Sequence, residues 1–480
     1  MDPSDFRRHG HALVEWIADY LEGSERYPVL PRVAPGDVRR ALPDAAPEHG
    51  ESFDAIFADF ERVIVPALTH WNHPGFFGYF AITASAPGVL ADFLSAALNQ
   101  QAMLWRTSPA ATELEETSLA WLRQLLGLPD SFEGVIYDTA SISSLHALAA
   151  ARQMTVPGVR DAGLAGRDVG AVRVYCSEHA HSSIDKAVIL LGLGHRSLRH
   201  IPVDDNFRMR TDALRDAIAE DTASDVRPLA VVATIGTTST TSVDPVREVA
   251  EICRRDSIWL HVDAAYAGVA AALPEQRPLF AGWEQADSIV VNPHKWLFTP
   301  FDLSAFYCRR MDVVRQAFAL TPDYLQTDEG ARGVRNLMDT GIQLGRRFRS
   351  LKLWMVLRDF GTDGVRAVLS EHIRLARLFA RWIDDDPDFE RVAPVPFSVV
   401  CFRARPHTFA GTSKELDAFN ARLLDAINAT GDVFLSHTRL NQRFTLRLAV
   451  GHLRTTEQHV GRAWELLKQH TARLTSATTV

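Results

Sequence analysis

Ser288-Ile289-Val290-Val291-Asn292-Pro293-His294-Lys295-Trp296 decides how this chain is read. Its first four residues form a short apolar run, the pattern of a buried strand. A lysine just past such a strand ordinarily reaches solvent as a loop charge. Here Asn, Pro and His precede it and Trp follows, an unusual way to decorate a surface. An amine gripped by polar and aromatic neighbours suits Schiff-base chemistry with a carbonyl cofactor.

A second apolar run, Ile258-Trp259-Leu260-His261-Val262, ends at Asp263 and continues as Ala264-Ala265-Tyr266-Ala267-Gly268. Alone, a strand-end aspartate more often caps the turn that follows. Paired with a lysine at the end of the next strand, it suits pyridoxal phosphate (PLP). A carboxylate at the ring nitrogen keeps the pyridinium protonated and able to draw electrons from a substrate's α-carbon. The small Ala265 would let the strand lie close to the ring.

These two stretches, His261 to Gly268 and Asn292 to Trp296, resemble the signatures of the group II PLP-dependent amino-acid decarboxylases. The likeness is to the aromatic-L-amino-acid decarboxylases, bacterial members above all. Further matches fall in the family's order: His70-Trp71, Phe76 to Phe80, Ser108-Pro109-Ala110 through Glu115, Ala180-His181-Ser182-Ser183, and Leu344 to Lys352. The resemblance implies PLP fold type I, an α/β fold with a mostly parallel, doubly wound sheet in its large domain. It also implies an N-terminal helical arm packed on a partner subunit, hence a homodimer, and a small C-terminal α/β domain.

Composition agrees with such a protein. A chain of 480 residues with 46% hydrophobic content can bury a large core and exceeds one ordinary domain. Its net charge of −8, without a basic block, argues against nucleic acid or an anionic membrane as partner. The start, Met1-Asp2-Pro3-Ser4-Asp5, lacks a basic and apolar leader, and no long apolar run follows. Cys176, Cys253, Cys308 and Cys401 show no CxxC spacing and read as buried thiols of a cytoplasmic protein.

Residues 5–22 carry Leu13, Val14, Ile17 and Leu21 at helical spacing. Pro28, Pro31, Pro35, Pro43 and Pro47 then mark an extended connector. A capping-box pattern at Thr112 to Glu115 opens a helix that runs to Gly127. From about 134 to 310, strands at 134–137, 171–175, 229–233, 258–262, 288–291 and 304–307 alternate with helical stretches. Strands at 397–402 and 444–448 suggest the smaller domain. We therefore expect an arm and dimerisation segment over 1–84, a PLP-binding domain over 85–360 and a C-terminal domain over 361–480.

In an open sheet of this kind ligands sit at the carboxyl ends of strands, where Asp263 and Lys295 both fall. Asp138-Thr139-Ala140-Ser141 lies between a strand and a helix, so its hydroxyls and amides suit a phosphate. An ordinary helix cap by Thr139 or Ser141 explains the pattern equally well. The resemblance places the PLP phosphate on Ala140, Ser141 and Asn292, with Ile142 where relatives often carry Glu or Asn. It stacks His181 on the pyridine ring opposite Ala265, sets Thr238 near the cofactor's reactive side and adds Thr139 and His294 to the cofactor contacts. A zinc site at His179 and His181 lacks a third ligand at usual spacing; no metal is expected.

The catalytic set is then Lys295, His181 and Asp263. Trp71, Tyr79 and Phe80 correspond to the family's substrate wall, and an aromatic wall favours an aromatic side chain. Ile82 stands where catecholamine-forming relatives have a threonine, and Ala81 where they have proline. Gln101, Met103 and Leu104 are expected to line the pocket from the neighbouring subunit. Leu337 stands opposite the loop tyrosine that protonates the product in animal relatives, and Tyr324 is the one tyrosine of the stretch from Thr321 to Gln343. His181 or water is left as proton donor. The expected reaction is decarboxylation of tryptophan, phenylalanine, tyrosine or dihydroxyphenylalanine to the amine. The alternatives are an oxidative acetaldehyde synthase, a non-catalytic dimeric scaffold, and an aminotransferase using Arg447.

Overall fold

Twelve strands follow one another as β1 (Phe76–Phe77), β2 (Glu133–Tyr137), β3 (Ala171–Ser177), β4 (Leu198–Ile201), β5 (Val226–Thr234), β6 (Trp259–Asp263), β7 (Ser288–Val291), β8 (Ser304–Cys308), β9 (Phe389–Arg391), β10 (Val399–Ala404), β11 (Phe434–Leu440) and β12 (Arg443–Ala449). They come from a computed structural model that describes residues 1–320 and 333–478. The chain divides into two compact units, one of residues 1–81, 377–392 and 401–480, the other of 82–376 and 393–400.

The larger unit is built on a seven-stranded sheet in the order β2-β8-β7-β6-β5-β3-β4. Strand β8 runs antiparallel to both β2 and β7, and every other pairing is parallel. The carboxyl ends of β2, β3, β5, β6 and β7 therefore share one edge. Strands β6, β7 and β8 are buried along their whole length, as expected where helices cover both faces of a sheet. The helix Ala140–Thr155 packs closely because Ala147, Ala149, Ala150 and Ala151 face Val174, Cys176, Val232 and Phe306 in one core cluster. Edge strand β4 was not expected from the sequence; four residues, two of them polar, give too short an apolar signal.

A linked set of polar groups on β6 and β7 is paired inside this core. His261 on β6 meets Ser144 Oγ at 3.1 Å and Ser288 Oγ at 2.9 Å, and Trp259 donates to the same Ser288 hydroxyl at 2.9 Å. The expected capping box at Thr112 is not one. The helix begins earlier, at Pro109 after Ser108, and Thr112 bonds back to the Ser108 carbonyl at 3.1 Å. Glu115 turns inward instead and forms a buried ion pair with Arg346 at 2.7 Å. The expected stop holds, with Gly127 in the left-handed region at φ 72°.

The other unit carries a five-stranded sheet, β1-β11-β12-β10-β9. Strand β1 pairs in parallel with β11, Phe76 opposite Phe434. Strands β11 and β12 form a hairpin whose turn, Asn441-Gln442, has both residues at positive φ, the geometry that matches strand twist. The N-terminal helix Pro3–Glu22 starts on Asp2, whose carboxylate accepts from the amides of Ser4 and Asp5, and ends at Gly23. The proline-rich connector holds only one short helix, Asp37–Ala41. Among the described residues all four cysteines are buried, and no helix is long and apolar enough to cross a membrane.

Burial lowers the pKa of His261 from 6.5 to about 4. An unfolded chain takes up this proton near pH 6.5 and the folded chain only near 4, so the unfolded state binds more protons in between. Stability is then complete above pH 6.5 and falls as pH drops toward 4, by about 2 kcal/mol at pH 5 from this one ring. Urea unfolding of wild type and His261→Gln at pH 7.5 and 5 should show a smaller pH-dependent loss in the variant. Equal losses would remove His261 as the titrating group.

Candidate active site

Five loops leave the shared carboxyl edge of the large sheet, and each carries a residue singled out from the sequence. Thr139, Ala140 and Ser141 follow β2, His181 follows β3, Thr238 follows β5, Asp263 ends β6, and Asn292, His294 and Lys295 follow β7. Strand order and direction alone bring these sequence-distant groups to one edge.

The β7 loop is held from behind. Pro293–Trp296 forms a single helical turn after Asn292, and the Lys295 amide donates to the Asn292 carbonyl at 2.9 Å. Trp296 is fully buried, stacks on Tyr266 with ring centroids 4.8 Å apart and 7° between planes, and donates its indole N–H to His372 Nδ1 at 3.0 Å. A residue clamped between Tyr266 and His372 leaves its neighbour Lys295 little backbone freedom.

Asp263 is buried at the end of β6 and accepts the Ala265 amide at 3.0 Å. His181 feels both charges: burial lowers its pKa, Asp263 opposes that shift, and Lys295 adds to it. The Ser183 amide donates to His181 Nδ1 at 3.1 Å, and the Ser183 hydroxyl lies 2.9 Å from the same nitrogen. In the neutral ring the hydrogen therefore sits on Nε2. Ser183 belonged to a recognised motif, yet its role in setting this tautomer is visible only in the fold.

His294 is kept neutral too, its pKa lowered by burial to about 3. Its Nδ1 accepts the Leu303 amide at 2.9 Å, so Nε2 carries the hydrogen. Asn292 Nδ2 lies 3.3 Å from that Nε2, while Asn292 Oδ1 is buried without a partner. Turning the amide over pairs its oxygen with the ring hydrogen and puts two buried N–H donors where the oxygen has no partner. That donor set fits an anion.

The β2 loop offers more donors. Thr139 occupies the N-cap of Ala140–Thr155, but its side chain makes no cap hydrogen bond and turns to Asp138 Oδ1 at 3.3 Å. The amides of Ile142 and Ser143 go to the Thr139 carbonyl, and Ser141 is exposed. Plain capping by Thr139, the rival reading of this segment, is not what the loop does. First-turn amides and a hydroxyl at the positive end of a 16-residue helix suit a phosphate. With Asn292 behind and a carboxylate, a neutral imidazole and an amine alongside, the residues present fit PLP.

Glu115 and Arg346 position this loop. Glu115 accepts the Ile136 amide at 2.8 Å, and Arg346 donates to the Ile136 carbonyl at 2.8 Å and to the Ala102 carbonyl at 3.2 Å. The pair thus grips β2 two residues before the loop begins. Both lay in recognised motifs, but nothing in their spacing signals that they meet.

The structure places Gln101 here as well: its Oε1 accepts the Arg346 amide at 2.7 Å. Met103 lies partly buried against Leu104 and Met338, and Ile82 is partly buried. Leu337 is fully buried in the core cluster. Tyr324 lies outside the described residues. Thr238 is exposed, on a loop braced by contacts among Thr237, Thr240 and Ser242.

Trp71, Tyr79 and Phe80 belong to the other unit, where they cluster. The Trp71 ring lies 4.4 Å from Phe76 and 5.9 Å from Tyr79, and Tyr79 lies 5.9 Å from Phe434. Gly78 is required, because a Cβ there would sit 2.2 Å from the Phe434 ring. Tyr79 is 57% exposed and Phe80 is buried. Arg447 lies 4.7 Å over the Phe80 ring and donates to the Tyr79 carbonyl. Those contacts occupy it structurally, against the aminotransferase role.

Comparison with known proteins accords with this site. A sequence profile described as the pyridoxal-dependent decarboxylase conserved domain matches residues 35–405. The chain is 41% identical over 490 residues to aromatic-L-amino-acid decarboxylase of Sus scrofa, covering 99% of this chain and 98% of that one. It is 39% identical over 483 residues to phenylacetaldehyde synthase of Arabidopsis thaliana, covering 99% and 97%. The crystal structure of Oryza sativa TDC with PLP and tryptamine superposes with a TM-score of 0.95 at 37% identity, covering 99% of each chain. By sequence, fold and the chemistry gathered at its strand ends, the chain belongs to the pyridoxal-dependent decarboxylase family and is a PLP-dependent carboxy-lyase.

Proposed function

We propose that this protein removes the α-carboxylate of an aromatic L-amino acid, releasing CO2 and the corresponding amine. The observation that carries the reading is the meeting of a buried carboxylate, an imidazole held neutral and an anchored lysine at one sheet edge, beside donors suited to a phosphate. Relatives named aromatic-L-amino-acid decarboxylase and tryptophan decarboxylase, matched over nearly the whole chain, support the substrate class. Bound PLP supplies the electron sink for the pair released when the Cα–carboxylate bond breaks.

The chain's own residues would do the rest. Lys295 offers the attaching amine. Asp263 holds the proton on the pyridine nitrogen. Asn292, Ala140 and Ser141 hold the phosphate, with Thr139, Thr238, Ala265 and His294 beside the cofactor. His181, with its hydrogen on Nε2, would bind and orient the substrate carboxylate for departure as CO2. His181 or water would then supply the proton at Cα, a task Leu337 cannot share. Trp71, Tyr79 and Phe80 receive the aromatic ring, with Ile82, Gln101 and Met103 as further specificity contacts.

Incubation with tryptophan, phenylalanine, tyrosine and dihydroxyphenylalanine, with amine, aldehyde and peroxide measured together, tests the reading. Amine in step with CO2 is expected; stoichiometric aldehyde and peroxide would replace it with the oxidative reaction. Isoleucine cannot hydrogen-bond a catechol, and one such bond is worth about 0.5–1.5 kcal/mol, so tryptophan or phenylalanine should be preferred several-fold to about tenfold. Ile82→Thr should move the ratio of kcat/KM values toward dihydroxyphenylalanine. An unchanged ratio would remove Ile82 from substrate selection.

A homodimer completes the proposal. On the helix Ala86–Leu98, Leu90, Phe93, Leu94 and Leu98 are 54%, 50%, 46% and 54% exposed and form one apolar stripe. A second copy is its proposed cover, with the N-terminal helix Pro3–Glu22 contributing an arm. Light scattering should give twice the 53.3 kDa chain mass for wild type and the single mass for Phe93→Glu/Leu94→Glu. A variant that keeps the doubled mass would place the interface elsewhere.

A further inference from the structure

Outside the residues used above, Asp185, His195 and His200 bring ligand atoms within 4.8 Å of one another. Asp185 stands in the first turn of the helix Ser183–Leu190, His195 opens the turn His195–Ser197, and His200 lies on edge strand β4. One Asp185 oxygen, Oδ1, is 3.0 Å from His195 Nε2 and 3.5 Å from His200 Nε2. Four-coordinate zinc with bonds of about 2.0–2.2 Å holds its ligand atoms about 3.3–3.5 Å apart. The longer of these two separations already has that size, and the shorter lies just below it.

The surroundings support ligation. His200 Nδ1 lies 3.6 Å from Cys176 Sγ, a residue paired with it in register across β3 and β4. The sulfur can accept the Nδ1 hydrogen, which leaves the Nε2 lone pair facing Asp185, as an orienting contact behind a ligating histidine does. Asp185 is partly buried, while His195 and His200 are exposed, so solvent can complete the coordination.

We infer that Asp185, His195 and His200 form a divalent transition-metal site, separate from the PLP residues. Two imidazoles and one carboxylate select zinc, nickel or copper over magnesium and calcium, which prefer all-oxygen shells. Binding replaces the His195-to-Asp185 hydrogen bond with three bonds to one cation, and ties the helix after His181 to the edge strand.

The test is equilibrium dialysis of metal-stripped, PLP-loaded enzyme against Zn2+, with bound metal counted by atomic emission. Wild type should bind one equivalent per chain more than His195→Ala/His200→Ala, and each single variant, Asp185→Asn included, should weaken that equivalent at least about tenfold. Co2+ in the same site should give the visible bands of tetrahedral coordination in a wild-type-minus-variant difference spectrum. Thermal midpoints of the metal-free variants should match wild type, and Zn2+ should raise the midpoint of wild type only. Equal stoichiometry and affinity in wild type and double variant would overturn the site.

Discussion

A carboxylate held in a nearly dry strand end is the constraint on which the rest of this structure depends. Asp263 sits there with 6% of its surface exposed. Such a charge is tolerable only with matching groups around it. The fold supplies the Ala265 amide, and His181 lies close enough to feel both Asp263 and Lys295. Parallel strands make this economical: each delivers one loop to the same edge, so chemistry is assembled by topology rather than by long excursions of the chain.

Holding those loops still requires support from behind, and two devices provide it. Trp296, clamped by Tyr266 and His372, fixes the lysine's turn. Glu115 and Arg346, nearly fully buried and 2.7 Å apart, grip both polar groups of Ile136 just ahead of the β2 loop. Removing one member of such a pair strands the other as an unpaired buried charge, at a cost of about 3–5 kcal/mol. The same logic sets the histidines: backbone amides fix which nitrogen of His181 and of His294 carries the hydrogen, and burial keeps the second proton off His294.

Much of this was legible in the sequence, for physical reasons that differ by element. Strands β6 to β8 are buried on both faces, so their residues read as unbroken apolar runs. The turn at Gly127 announced itself because a left-handed residue favours glycine. Strand β11 was missed because it is half exposed, with polar Ser436, His437, Thr438 and Arg439 in its middle. Glu115 was misread as a cap because its sequence neighbours form a capping pattern, whereas its true partner lies 231 positions away. The tautomers of His181 and His294, and the metal-ligand trio around Asp185, depend on contacts between elements that no local pattern encodes.

The central claim is that Lys295 is the amine to which PLP attaches, with Asp263 and His181 arranged around it. Borohydride reduction of the PLP-loaded enzyme, followed by proteolysis and peptide mapping, tests this without relying on turnover. The account predicts the phosphopyridoxyl label on the peptide that contains Asn292 to Trp296, at Lys295. A stoichiometric label on any other lysine would contradict it.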